Sequence, residues 1–198
     1  PQTVIMITAP TNEEATQIIA QNSEQLFNII GQAERNRIMR NSKRYEDVAL
    51  RQFVADKFGG SPYFPKGYSL KKQTDNFVWI SYEPQYIQQS ILVMKYPVVE
   101  GEEMMSPESL ISNINAELQK NVPGMFENTY MTIAPAVIPS VKYVRYKGLD
   151  FADIRGLWDV HNDYMGGPFV SHAFYSQDGK DMIVLLAFVY APKYDKRQ

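Results

Sequence analysis

The chain has 198 residues, of which 44% are hydrophobic and 21% charged, a balance typical of a globular protein. Its formal net charge of −2 provides no field that would attract nucleic acid or an anionic membrane surface, which argues against both as partners. The absence of cysteine excludes disulfides, thiolate metal sites and cysteine nucleophiles. No apolar run reaches the roughly 18 residues of a membrane-spanning helix.

Residues 1–60 are predicted to form a strand followed by helices, the end of an N-terminal lobe. The strand covers Thr3 to Thr8, a β-rich apolar run that ends before Pro10. Thr11 and Glu14 then have the spacing of a helix-capping box, and an apolar stripe continues to Ala33. A second helix, or the continuation of a bent one, is expected to end at Gly59.

A basic stretch, ERNRIMRNSKR, joins the two helical patterns and carries five Lys or Arg residues. It is consistent with a phosphate-binding patch or with a solvated connector. The net negative charge of the chain favours the connector.

Residues 61–76 are polar and punctuated by Pro and Gly, so they are predicted to be a connecting loop. Residues 77–198 are predicted to form an antiparallel sheet with one helix. That helix begins after Ser106, a good N-cap that is followed by Pro107 at the first helical position. The fold class is therefore α+β, with a predominantly antiparallel sheet of about five to seven strands and flanking helices. The strands after residue 76 are predicted at 77–83, 91–96, 130–133, 142–147, 157–164, 169–176 and 182–190.

Both histidines lie in the segment HNDYMGGPFVSH, on either side of a Met-Gly-Gly-Pro sequence. We predict a hairpin with a loop over Met165 to Pro168, in which Gly166 or Gly167 has a positive φ. One face of this hairpin would carry Asp159, His161, Asp163 and His172. The predicted register pairs His161 with His172, Asp163 with Val170 and Asp159 with Phe174.

Two facing imidazoles with two nearby carboxylates are a candidate site for a divalent metal, or a pH-sensitive pair. The other interpretations are a structural histidine at position 172 and a contact with a ligand. Polar residues on the outer face of an antiparallel hairpin are common without any such role. No phosphate-binding loop, nucleophile elbow, zinc-protease motif or dinucleotide fingerprint is present in the sequence.

Five motifs together make the chain resemble the domain of unknown function 4837 family of bacterial proteins. They are AERNR (33–37), YSLKKQTDNFVW (68–79), RGLW (155–158), DYMGGPFVSH (163–172) and FVYAP (188–192). The resemblance implies an envelope lipoprotein with a signal peptide, an acylated cysteine and an N-terminal segment preceding residue 1. It implies membrane attachment only through that lipid anchor. It supplies no activity, and His172 belongs to its GGPFVSH signature whereas His161 does not.

From this we expect a non-enzymatic module of the cell envelope, facing the periplasm or the cell surface, that binds or scaffolds and needs no cofactor. Its partner would be an envelope protein or a small ligand. The alternative is a metal-dependent or hydrolytic enzyme that uses His161, Asp163 and His172. We also expect a self-association surface at residues 3–34, because the first strand and the helical stripe after it expose apolar groups.

Overall fold

The computed structural model describes residues 3–193, which contain four helices and eight strands. The helices are α1 (Asn12–Gln21), α2 (Ser23–Arg44), α3 (Val48–Phe58) and α4 (Pro107–Asn121). The strands are β1 (Ser69–Gln73), β2 (Phe77–Tyr82), β3 (Gln88–Pro97), β4 (Tyr130–Ile133), β5 (Ser140–Tyr146), β6 (Leu149–His161), β7 (Gly166–Tyr175) and β8 (Asp181–Tyr190).

All eight strands belong to one antiparallel sheet, so the predicted α+β class is confirmed. The strand order is β1-β2-β3-β8-β7-β6-β4, and β5 also pairs with β6 along another part of the same edge. The last strand in sequence, β8, therefore lies in the centre of the sheet. This arrangement gives the central strands neighbours on both sides, which satisfies their backbone hydrogen bonds.

Three predicted element boundaries are wrong. Residues 3–8 are not a strand, because they pair with no other strand in the described part of the chain. The predicted loop over 61–76 contains β1, which pairs with β2. The strand predicted at 157–164 begins earlier, because β6 starts at Leu149 after a turn from β5 at Lys147 and Gly148, both at positive φ.

The helix starts, in contrast, are confirmed. The Thr11 side chain accepts a hydrogen bond from the Glu14 backbone N–H, and the Ser106 side chain accepts one from Ser109. These bonds satisfy backbone donors that a helix leaves unpaired at its first turn. Among residues 3–193, no helix is long and apolar enough to cross a membrane.

The chain divides into two compact units. The smaller unit comprises residues up to Asp47 together with Tyr63–Lys66. The larger unit comprises Val48–Pro62 and the chain from Gly67 onward, and it contains α3, α4 and the whole sheet.

The core of the larger unit lies between α4 and one face of the sheet, called here the first face. Leu110, Ile114 and Leu118 of α4 are fully buried there, at the regular spacing of one helix side. Alternate strand residues, such as Val184 and Leu186 of β8, complete this core.

The opposite, second face of the sheet carries the intervening residues. Phe58 of α3 lies over it and lines a cleft of about 730 Å³ together with Val93, Ile183 and Leu185. Toward the β6 end, the second face is only half-covered and carries the candidate site.

Candidate functional site

The two histidines do not face each other, so the predicted register of the hairpin is wrong. His172 of β7 pairs with Asp153 of β6, whereas His161 at the end of β6 pairs with Tyr130 of β4. Asp153 precedes His161 by eight residues on the same strand, which corresponds to about 26 Å. The two imidazoles do share the second face, because alternate residues of a strand point the same way.

His172 is half-buried and lies in a small polar cluster on the second face. Its Nε2 is 3.4 Å from Oδ1 of Asp153, and its ring packs on Phe151 with a centroid distance of 4.8 Å. Nε of Arg155 donates to the same carboxylate, at 3.0 Å from Oδ2. Lys142 pairs with Asp153 from β5. One carboxylate thus holds an imidazole and a guanidinium at the border of an apolar surface.

The other predicted site residues lie outside this polar cluster. His161 is exposed, and its ring stacks on Tyr130 with a centroid distance of 4.7 Å. Asp159 lies between Thr132 of β4 and Gly166 of β7. Asp163 lies in the turn, where its side chain accepts a hydrogen bond from the Tyr164 backbone N–H at 2.7 Å.

The register differs from the prediction because the turn precedes the two glycines. The chain reverses through Asn162, whose φ is 61°, and Val160 N–H bonds to the carbonyl of Met165. Asn tolerates this left-handed conformation better than most residues. Gly166 and Gly167 lie in β7 instead, and neither has a positive φ, contrary to the prediction.

The two glycines are required for close packing. A Cβ on Gly167 would lie 2.4 Å from the carbonyl oxygen of Val189 and 2.9 Å from Nε1 of Trp158. A Cβ on Gly166 would lie 2.9 Å from the carbonyl oxygen of Trp158. The Gly-Gly signal thus marks a close approach around the Trp158 ring, rather than a turn.

An apolar cleft of about 380 Å³ lies on the second face next to this polar cluster; it is called here the sheet cleft. Its floor is one row of neighbouring strand residues, since Ile91 pairs with Ala187 and Ala187 with Val170. Arg155 follows Val170 in the same row and forms one wall. The residues that line the cleft include Tyr68, Gln89, Ile91, Arg155, Pro168, Val170, Ala187 and Val189.

Tyr68 forms the wall opposite Arg155. Its hydroxyl lies 3.1 Å from Oε1 of Gln89, and its ring packs on Tyr82 with a centroid distance of 5.5 Å. Burial, and to a lesser extent the neighbouring Tyr82, raises the pKa of Tyr68 above the usual tyrosine value. The Tyr68 hydroxyl is therefore a neutral hydrogen-bonding group at physiological pH.

Ile91 and Arg155, at the two ends of this row, lie three interstrand spacings apart in the order β3-β8-β7-β6, or about 14 Å. Most of the surface between the walls is apolar, and the polar groups are confined to the rim. This composition is typical of sites for small, largely apolar molecules.

The predicted metal set is not assembled. Nowhere within residues 3–193 do three His, Asp or Glu side chains converge as a metal site would require. His161, Asp163 and His172 are distributed between a strand end, a turn and a strand interior.

The sequence interpretation missed Asp153 and Arg155 because residues 148–156 were left outside the strands. A signal was present, since the charged residues alternate with the apolar Ala152 and Ile154. Lys147-Gly148 before them is a suitable hairpin turn. The cleft floor could not be identified, because it depends on which strands are neighbours.

No curated protein matches the chain in sequence. A family profile does match, over residues 47–198, and it is described as Domain of unknown function (DUF4837). The match contains four of the five motifs that carried the resemblance, whereas AERNR (33–37) lies before it. Because the match covers most of its length, the chain belongs to the DUF4837 family.

Proposed function

We propose that the chain is a binding module of the cell envelope that holds a small, largely apolar molecule with an acidic group in the sheet cleft. The observation that carries this proposal is the row of Ile91, Ala187 and Val170, which is only half-covered although it lies on the central strands. A ligand that covers this apolar surface removes it from water, which lowers the free energy and favours binding.

The size and lining of the cleft support a small molecule. Its volume of about 380 Å³ lies within the range of ordinary ligand pockets, roughly 300–1,000 Å³. The flat floor spans several strands, which suits an acyl chain or a planar ring system. Tyr68 and Gln89 at one wall offer polar contacts that would orient such a ligand.

Arg155 supports an acidic group on the ligand. Its Nε donates a hydrogen bond to the Asp153 carboxylate. Its two terminal guanidinium nitrogens donate no hydrogen bond to any group within residues 3–193. A ligand carboxylate can therefore bind these nitrogens with charge-assisted hydrogen bonds. Asp153 would keep the guanidinium oriented while the ligand binds.

The proposal is tested by measuring the binding of dodecanoate to the whole chain with titration calorimetry or NMR. We expect saturable binding that Ala187→Trp abolishes, because the indole fills the floor of the cleft. Arg155→Gln should weaken dodecanoate binding about tenfold or more, since a charge-assisted bond contributes roughly 1.5–3 kcal/mol.

The matched control is Arg145→Gln, which removes the same charge from β5, where Arg145 pairs with Asp150 outside the cleft. This control should bind dodecanoate like the original chain. Equal binding of dodecanol and dodecanoate would support the cleft as a binding site but contradict the proposal that its ligand carries an acidic group. If neither compound binds, or if Ala187→Trp has no effect, the proposal is wrong.

The envelope location rests on the lipoprotein character that the sequence resemblance implies. Fractionation of the source cells, with detection by an antibody against the chain, tests it. We expect the protein in the envelope fraction, with release by detergent. Recovery in the cytoplasmic fraction would contradict this part of the proposal.

A further inference from the structure

The two helices of the smaller unit expose an unusual amount of apolar surface. Among the described residues, neither α1 nor α2 contains one that is buried. Phe27 is 77% exposed, and Ile30 and Ile38 are each 55% exposed. Large apolar side chains exposed together on a helix mark a surface that another molecule covers.

Four of these side chains share one side of the helical segment. Ile19 of α1 and Phe27, Ile30 and Ile38 of α2 are separated by eight, three and eight residues, which corresponds to a sector of about 100° when both helices are projected on one axis. They are called here the α1–α2 stripe. Asn22, with φ of −111° and ψ of 17°, separates α1 from α2, while its N–H bonds to the Ile18 carbonyl and its own carbonyl accepts from the Leu26 N–H.

The spacing of the stripe is the same in both directions along the chain. In an antiparallel pair of identical segments centred between residues 28 and 29, Phe27 of one copy faces Ile30 of the other. Ile19 then faces Ile38 in the same register. A two-fold axis requires this kind of self-complementary pattern, because one surface must match itself after reversal.

The charges have the same antiparallel complementarity. Glu13 and Glu14 lie at the start of α1, and Glu24 lies at the start of α2. Five basic residues, Arg35, Arg37, Arg40, Lys43 and Arg44, occupy the second half of α2. The same register brings Glu13 opposite Arg44, both of which flank the stripe, whereas a parallel pair would align like charges.

We infer that the α1–α2 stripe is a dimerisation surface that takes a second copy of this chain in antiparallel orientation. The proposal is independent of the sheet cleft, since no stripe residue lines it. It also gives the basic stretch of α2 a role in pairing with the acidic end of another copy. The partial exposure of Ile5, Ile18 and Ile29 agrees with the self-association expected from the sequence.

Sedimentation velocity of the whole chain over a range of concentrations tests the dimer. We expect a monomer–dimer equilibrium that Phe27→Glu shifts to monomer at every concentration. The matched control is Tyr164→Glu, which places the same acidic residue on a fully exposed aromatic position of the β6–β7 turn. A monomer at all concentrations, or loss of the dimer in both variants, would overturn the inference.

Disulfide trapping tests the orientation, and it is specific because these 198 residues include no cysteine. Ile19→Cys and Ile38→Cys chains should form a disulfide-linked dimer when they are mixed and oxidised. Neither variant alone should do so to a comparable extent, because the two copies of each position lie at opposite ends of an antiparallel pair. Efficient crosslinking of Ile38→Cys with itself would show parallel pairing and reject the proposed register.

Discussion

Gly167 shows how a single missing side chain determines the packing of a strand. It pairs with Trp158 in the sheet, and a Cβ at this position would lie only 2.4 Å from the Val189 carbonyl oxygen. The Trp158 indole also donates to that oxygen, at 3.3 Å. Backbone and indole must therefore move to admit even one methyl group.

We predict that Gly167→Ala lowers the free energy of unfolding by roughly 2–3 kcal/mol through this overlap. The thermal midpoint should fall by roughly 5–10 °C, measured by circular dichroism. Gly60→Ala is the control, because no atom lies within 4 Å of a Cβ there and its φ is not positive. If both variants unfold at the original midpoint, the conclusion that Gly167 has no room for a Cβ is wrong.

The buried hydroxyl of Tyr96 has no hydrogen-bond partner among residues 3–193. Its ring belongs to the core between α4 and the first face. We predict that Tyr96→Phe leaves the free energy of unfolding unchanged or raises it by up to about 1 kcal/mol, because it removes an unsatisfied polar group. Urea denaturation at pH 7 measures this. Tyr143→Phe is the comparison, and it should be destabilising, since the Tyr143 hydroxyl donates to the Met105 carbonyl at 2.7 Å.

Burial also raises the pKa of Tyr96 well above its usual value of 10.0. The unfolded chain then releases this proton at a lower pH than the folded chain. The contribution of Tyr96 to stability is therefore complete below about pH 10 and is lost as the pH rises further. We predict that the urea midpoint of Tyr96→Phe falls less between pH 8 and pH 11 than that of the original chain. Parallel pH curves would contradict this assignment.

The sequence placed both histidines in one segment, but it did not determine the register that separates them in the sheet. Gly-Gly-Pro was interpreted as the turn, whereas the reversal depends on Asn162 at positive φ and on the Asp163 side chain. Both signals are local, and both were present in the sequence. The choice between them depends on the packing of Gly167 against Val189, which belongs to a strand far along the chain.

At the scale of elements, α4 is a helix whose start is determined locally. Ser106 caps it, Pro107 begins it, and Leu110, Ile114 and Leu118 form its buried side. We predict that Ser106→Ala lowers the free energy of unfolding by about 1 kcal/mol, because the Ser109 N–H loses its acceptor. Urea denaturation provides the measurement. Ser112→Ala, on the exposed side of the same helix, should have no destabilising effect.

Helices were predictable from the sequence because their caps and stripes lie within a few residues of one another. Strands were less so. β1 is mostly exposed and carries Lys71 and Lys72, so it lacks the apolar alternation that identifies a strand. Residues 3–8 have that apolar character, yet they pair with no strand in the described part of the chain. Strand formation depends on an available partner, which no short window of sequence contains.

At the scale of the whole molecule, the two units differ in how much apolar surface they bury. The fully buried side chains concentrate in the larger unit, on both faces of the sheet, whereas α1 and α2 contribute none. The fold class could be predicted because apolar content, strand number and turn signals are properties of the entire sequence. The division into two units could not be predicted, since Tyr63–Lys66 belongs to the smaller unit although residues 48–62 between them and Asp47 belong to the larger one.

Hydrogen exchange should therefore separate the two units. We predict that the backbone amides of β3, β7 and β8 exchange slowest, and that those of α1 and α2 exchange orders of magnitude faster at low protein concentration. If the dimer forms through the stripe, protection of α1 and α2 should rise with concentration, and Phe27→Glu should remove that rise. Mass spectrometry after proteolysis resolves these segments. Equal protection of the helices and the central strands in dilute solution would contradict the prediction.

The central position of β8 has a consequence for the synthesis of the protein. Within residues 3–193, β3 and β7 are joined in the sheet only through β8, which spans Asp181–Tyr190. Until these residues leave the ribosome, the β1–β3 half and the β6–β7 half are two sheets that each expose an apolar edge strand. Such edges are prone to pair with other chains. The two half-sheets are therefore most exposed to wrong pairing before β8 is synthesised, and a premature stop codon a few residues before Asp181 would yield two unjoined half-sheets.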